Sequence, residues 1–165
     1  MRELFQIAIV LFAVACRKES VEKSSDTGNE TVYNVKKNVM LELLNKSRKT
    51  GCLCGSTQMP PVSALEWNDT LARAAYLHSV DMQSKNFLSH TGSDGSSLSA
   101  RVDRQGFAWS SLGENIASGY GSDSAVVAGW LKSEGHCKNI MNASFKLVGA
   151  GKQQGIWTQV FAGRR

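Results

Sequence analysis

The chain lacks most of the signals that name a chemistry outright. No His-Glu-x-x-His pair is present, so the one zinc-hydrolase spacing that a sequence reveals locally is missing. Lysine and arginine are scattered, with no basic stripe interleaved with aromatics, and the net charge is only +5. That excludes the electrostatic footprint on which nucleic-acid binding depends. There are no internal repeats. No serine stands out as a nucleophile: Ser89, Ser96, Ser97 and Ser133 all read as turn or cap residues. The N-terminal apolar run, Leu4 to Ala15 broken only by Gln6, is too short to cross a bilayer core of about 30 Å as a helix.

What is there describes one ordinary domain behind an export leader. The chain has 165 residues, 42% of them hydrophobic and 20% charged, enough to bury a real core. Residues 1–15 read as an export signal: Arg2 supplies a positive end, and Ala13-Val14-Ala15 has the small-residue pattern of a cleavage site. Cys16 follows at once, and Phe12-Ala13-Val14-Ala15-Cys16 is similar to a bacterial lipobox, with Ala13 where leucine is usual. Cys16 is therefore the expected lipidation site, with plain secretion as the alternative. Either way the domain works outside the cytoplasm, and a lipidated Cys16 makes a membrane its first partner. Residues 16–30 contain only Val21 as a large apolar residue and form a flexible tether. The folded domain is expected over 31–165.

Hydrophobic spacing at Val32, Val35, Val39 and Leu43 predicts a helix from about Thr31 to Lys49. The segment 51–61, closed by Pro60-Pro61, reads as loop. Asn68 or Asp69 caps a second helix to about Asn86, whose inward stripe is Leu71, Ala74, Ala75, His78 and Met82. A third helix carries Leu98, Arg101, Val102 and Gln105. Phe107-Ala108-Trp109 is a brief extended piece, and Ser122 or Asp123 caps a helix carrying Trp130. Residues 133–137 read as a turn. Leu147 to Gly151 and Ile156 to Phe161 read as two strands of a hairpin. Helices followed by a terminal hairpin indicate an α+β domain.

Chemistry concentrates between Gly113 and Asn142, where Glu114, Glu134, His136 and Cys137 lie. His90, beyond the end of the second helix, offers another imidazole in a loop, where it is free to enter a cleft. His78, on an inward stripe, is expected to be a hydrogen-bonded core residue. With Cys16 at the anchor, Cys52, Cys54 and Cys137 remain, an odd number for an oxidising compartment. Cys52 and Cys54 are too close in sequence for an unstrained bridge.

Six segments occur in a telling order: Leu65-Glu66-Trp67-Asn68, Phe87-Leu88-Ser89-His90-Thr91, Gly113-Glu114-Asn115-Ile116-Ala117, Trp130-Leu131-Lys132-Ser133 with Gly135-His136, Asn139-Ile140-Met141 and Trp157-Thr158-Gln159. Together they resemble the CAP superfamily of cysteine-rich secretory proteins, antigen 5 and pathogenesis-related 1 proteins, in its short bacterial branch. The resemblance implies an α-β-α sandwich with a central antiparallel sheet and a surface cleft lined by two histidines and two glutamates. By position these are His90, Glu114 and His136. Glu134 takes the second glutamate position only by a one-residue slip, because Ser133 stands where larger members carry the acid.

His90, Glu114 and His136 would suit zinc or another divalent metal, with an open position for water. The resemblance also implies a Cys54–Cys137 disulfide, leaving Cys52 free or exchanging with Cys54. The reading that follows is a non-enzymatic binding or effector module outside the cytoplasm, with a lipid or protein ligand in the cleft. Two others stay open: a protease-like, metal-dependent hydrolase using His90, Glu114 and His136, and a lipid or sterol binder using Leu98, Val102, Phe107 and Trp109, which otherwise are simply core.

Overall fold

The computed structural model describes residues 31–165. The export signal, Cys16 and the tether lie outside the described residues. The domain opens with a small hairpin, β1 (Thr31–Val32) and β2 (Val35–Lys36), which runs into α1 (Lys37–Thr50). The helix expected from Thr31 therefore starts at Lys37. Tyr33 and Asn34 both sit in left-handed backbone (φ 50° and 64°), and this turns the chain where the apolar spacing alone suggests a continuous helix. Met40, Leu44 and Arg48 recur every four residues and form the buried face of α1.

The segment expected as loop holds a second hairpin, β3 (Cys52–Cys54) and β4 (Thr57–Met59). A short strand, β5 (Glu66–Trp67), leads into α2 (Asp69–Ser84), where the Leu71 amide donates to Asn68 Oδ1 at 2.9 Å. Asn68 is thus the cap. Then follow α3 (Leu98–Asp103), β6 (Trp109–Ser118), α4 (Asp123–Lys132, capped by Ser122), α5 (Glu134–Ile140), β7 (Leu147–Gln153) and β8 (Ile156–Arg164). The expected terminal hairpin is present, and Gln154 and Gly155, both at positive φ, form its two-residue turn.

Two further elements differ from the sequence reading. Residues 133–137 are not a turn: the Cys137 amide donates to the Ser133 carbonyl at 2.8 Å, and α5 runs from there to Ile140. The extended piece at Trp109 is the start of a ten-residue strand that pairs with β8 along its length. The sheet order is β5-β7-β8-β6, antiparallel except where two residues of β5 run parallel to β7.

Alternation along the strands divides the interior in two. On one face Leu147, Val160 and Ala162 pack with Leu71, Ala74 and Ala75 of α2 and Val102 of α3. On the other, Val148, Ala150, Trp157 and Phe161 pack with residues of α1, α4 and α5. The architecture is therefore the α+β, α-β-α sandwich that the resemblance implies. Leu98, Phe107 and Trp109 pack against the first of these clusters.

Two features hold the layers at close range. Arg48 is fully buried, and its guanidinium donates to the carbonyls of Ser63, Ile140, Asn142 and Phe145 at 2.6 to 3.1 Å. Burial pushes its pKa down to about 10, so it remains charged at neutral pH. Across the sheet, β7 meets the α2 backbone at two glycines. A Cβ on Gly149 would lie 2.1 Å from the Ala72 nitrogen, and one on Gly151 would lie 2.4 Å from Tyr76 Cα.

Gly149→Ala should accordingly cost about 3 kcal/mol, because backbone on both sides must move. Gly135, in α5 with open space around its Cα, is the control: its Ala variant should be neutral or stabilise by up to about 1 kcal/mol. Denaturant unfolding of the two variants checks the contrast, and equal stabilities would contradict this account of the layer spacing.

Candidate functional site

Glu114 lies on β6, directly opposite Val160 of β8, and so points to the α2–α3 side of the sheet. Its side chain is only 3% exposed, and both carboxylate oxygens are taken. Oε1 accepts from His90 Nδ1 at 2.7 Å and Oε2 from Arg101 at 2.6 Å. An ionised carboxylate can only accept, so the proton is on His90 Nδ1 and the lone pair of the neutral ring is on Nε2. The His90 side chain is 60% exposed, which places the imidazole at the surface with its inner nitrogen held.

Arg101 fixes the loop that carries His90. It is buried on α3, and besides Glu114 it donates to the carbonyls of His90 at 3.0 Å and Ser96 at 2.9 Å. Sequence reasoning placed Arg101 on the third helix without giving it a role in the site. The signal was available: an arginine beside Leu98 and Val102 on an inward stripe is a buried charge that requires a partner.

His78 is 1% exposed and lies outside this pair. Its Nε2 lies 2.9 Å from the Ser89 carbonyl, bracing the chain one residue before His90. Burial pushes the His78 imidazole down, so the ring is neutral with Nε2–H donating, and Nδ1 has no partner among protein atoms.

His136 approaches from the opposite layer, on α5. Asn115, the neighbour of Glu114, points to the other face and donates to the His136 carbonyl at 3.2 Å and to Gln159 Oε1 at 3.1 Å. Asn139 closes the network, donating to the Glu114 carbonyl at 3.0 Å and Asn115 Oδ1 at 2.9 Å. Desolvation pushes the His136 pKa down, and the neighbouring charge of His90 lowers it further. The two imidazoles thus reach each other's field around β6, an edge strand of the sheet among the described residues.

Glu134 is placed elsewhere. Its carboxylate accepts from Lys138 one turn on, at 2.6 Å, and packs over Gly55 at the β3–β4 turn. Cys54 and Cys137 are at disulfide distance, Cα to Cα 5.4 Å, joining β3 to α5 across 83 residues. In the chain-entropy picture this closure contributes on the order of 4 kcal/mol. Cys52 is the free cysteine among the described residues.

Because the His90 charge opposes protonation of His136, His90→Ala should raise the His136 midpoint, followed by the ring-proton shifts in NMR. A depressed folded-state pKa also means that the unfolded chain takes this proton first. Stability linked to His136 is therefore present above about pH 6.5 and declines as pH falls below it. An unchanged His136 midpoint in the variant would separate the two rings.

Several known proteins are similar to this chain. The family model described as the cysteine-rich secretory protein family matches residues 41–161. The membrane protein YlbC of Bacillus subtilis, itself uncharacterized, is 37% identical over 103 residues, 62% of this chain. The uncharacterized protein YkwD of the same organism is 36% identical over 109 residues, 65% of this chain. The chain spans only 30% and 42% of the lengths of these two relatives. Among solved structures, an extracellular SCP-domain protein of Bacillus anthracis superposes with a TM-score of 0.67 at 31% identity, over 77% of this chain and 40% of that one. An outer surface protein of Borrelia burgdorferi shares the fold, with a TM-score of 0.65 at 21% identity, over 78% of this chain and 92% of that one. With the family model matched over residues 41–161, all of the folded domain but its first hairpin, the start of α1 and the last residues, the chain belongs to the cysteine-rich secretory protein (CAP) family.

Proposed function

We propose that the domain is a binding or effector module that works outside the cytoplasm, held to a membrane through a lipidated Cys16, and that it does not act as a hydrolase. The observation that carries this reading is the saturation of Glu114. With one oxygen on His90 and the other on Arg101, the carboxylate is charge-compensated, and at 3% exposure it is closed to an incoming substrate. A general base must reach the proton it removes, and Glu114 is already bound on both sides.

The same geometry bears on a metal. A catalytic zinc site takes three protein ligands and an open position. Among the described residues, the one group of three or more His, Cys, Asp or Glu ligand atoms lying within 4.8 Å of one another is Cys52, Cys54 and Cys137. His90, Glu114 and His136 do not form such a group. The reading proposed for them is instead a two-imidazole site, His90 Nε2 and His136, with Glu114 behind His90 as the carboxylate that orients a ligating ring; the influence of His90 on His136 supports it. A divalent ion there, completed by water, would bridge the domain to a carboxylate or phosphate ligand. Membrane or extracellular attributions belong to YlbC and to the Bacillus anthracis protein by description, and they support the proposed location.

Calorimetric titration with zinc checks the site. The wild type should bind, and replacing His90 and His136 together should remove the heat. Glu114→Gln should weaken affinity by about 10- to 100-fold rather than abolish it. Affinity should also fall as pH drops through about 6.5, where imidazole protonates. Equal heats from the wild type and the double variant would refute the shared site, and chelator-sensitive hydrolysis of a peptide or ester would overturn the non-enzymatic reading.

Anchoring has its own test. Cys16→Ala should move the protein from the membrane fraction to the soluble or secreted one. A wild type already soluble, with unmodified Cys16, would leave ordinary secretion.

A further inference from the structure

Three sulfurs meet where β3 faces α5. Cys52 Sγ lies 3.7 Å from Cys137 Sγ and 3.9 Å from Cys54 Sγ, while Cys54 and Cys137 form the disulfide. Cys52 and Cys54 are two apart on one strand, so both side chains point to the same side of β3, towards α5. Cys54 and Cys137 are fully buried, whereas Cys52 is partly exposed. A free thiol this close to a disulfide is an internal nucleophile.

We propose that Cys52, Cys54 and Cys137 form a thiol–disulfide exchange site in which Cys52 attacks Cys137, and the disulfide migrates between Cys54–Cys137 and Cys52–Cys137. The Cys52 thiol gives its proton to solvent and the thiolate attacks Cys137 Sγ. The Cys52–Cys137 bond forms as the Cys54–Cys137 bond breaks. The electron pair leaves on Cys54 sulfur, which takes up a proton. One disulfide and one thiol stand on each side, so no oxidant or reductant is consumed.

Cys137 is the sulfur attacked because of what each product would be. Attack on Cys54 would join residues two apart on one strand, whose Cα atoms are about 6.6 to 6.8 Å apart with side chains parallel, near the limit of what a disulfide spans. Attack on Cys137 keeps a bridge between β3 and α5. Cys52 is nearly equidistant from the two sulfurs and so lies beside the bond rather than in line with it. Exchange therefore requires its side chain to rotate and close from 3.7 Å to about 2.0 Å. Desolvation raises the Cys52 thiol, so only a small thiolate fraction is active at neutral pH. The β3–β4 hairpin is a separate two-stranded sheet, and its movement does not disturb the central one.

The consequence is a change in which thiol is reachable. In the described isomer the free thiol is the partly exposed Cys52, open to exported thiols and disulfides. In the other isomer the free thiol is Cys54, in the position buried here.

Differential alkylation decides the matter. The purified full chain is held at pH 8.5, quenched with acid, unfolded in denaturant and alkylated there with N-ethylmaleimide, digested without reduction and mapped by peptide, which separates Cys16 from the other three. Alkylation is expected at both Cys52 and Cys54, within about tenfold of each other, and never at Cys137, which is disulfide-bonded in both isomers. The ratio should not depend on protein concentration. Free thiol at Cys52 alone, or at Cys137, would overturn the proposal. In Cys54→Ser, Cys52 and Cys137 should be found bridged with no free thiol between them. A folded Cys54→Ser protein with both alkylated would also overturn it. Should that variant not fold, the wild-type map stands as the deciding measurement.

Discussion

A carboxylate buried at the edge of the sheet constrains most of what surrounds it. Glu114 is nearly inaccessible, and an unpaired charge there would cost several kcal/mol. The fold must therefore bring a cation to one oxygen and a donor to the other. Arg101 meets the first need only if α3 lies against β6, and His90 meets the second only if the loop after α2 folds back over the same strand. The guanidinium then uses its remaining donors on the carbonyls of His90 and Ser96, so the residue that neutralises Glu114 also shapes the loop that approaches it. One buried charge thereby ties together a helix, a loop and a strand that are not neighbours in sequence.

The site straddles the sheet because β6 is its edge. On a central strand, Glu114 and Asn115 would serve two separate interiors. At the edge, the layers beyond each face can approach one another around the strand, and His90 from one side comes within electrostatic reach of His136 from the other. Asn115 and Asn139 hold α5 to this edge through side-chain amides, alongside the apolar packing of Cys137 and Ile140. Asn115 and Gln159 are themselves fully buried, so this network satisfies polar groups inside the layer, beside the apolar packing of Trp130, Trp157 and Phe161.

What could be read from the sequence follows from where the information is local. The α2 stripe, the Trp130 helix and the terminal hairpin announce themselves by periodicity and caps, and His78 by its place on an apolar face. β6 does not: its run Gly113-Glu114-Asn115 carries a buried acid and a buried amide where a strand pattern would show apolar alternation. The partners that make those residues tolerable are Arg101, 13 residues away, and Gln159, 44 away, and no window contains them. Residues 133–137 look like a turn because Ser133, Gly135 and a lone acid suit one, and only the packing of Cys137 and Ile140 into the core makes them α5. His90, Glu114 and His136 were legible through resemblance to a family, not through spacing. The detail that resemblance could not supply is that Glu114 faces inward and meets an arginine.

That detail separates a histidine that is positioned from one that is activated. In a catalytic dyad the carboxylate behind an imidazole raises its basicity while the outer nitrogen works on a substrate. Here Arg101 shares the carboxylate, so part of its charge is spent on the guanidinium before it reaches the ring. The tautomer and the ring orientation of His90 are fixed by the same contact with Glu114. His136, lowered by desolvation, is likewise kept neutral rather than raised towards a working base at neutral pH. The His90 ring is exposed and oriented from behind by Glu114, whereas His136 is fastened through its backbone carbonyl, which accepts from Asn115.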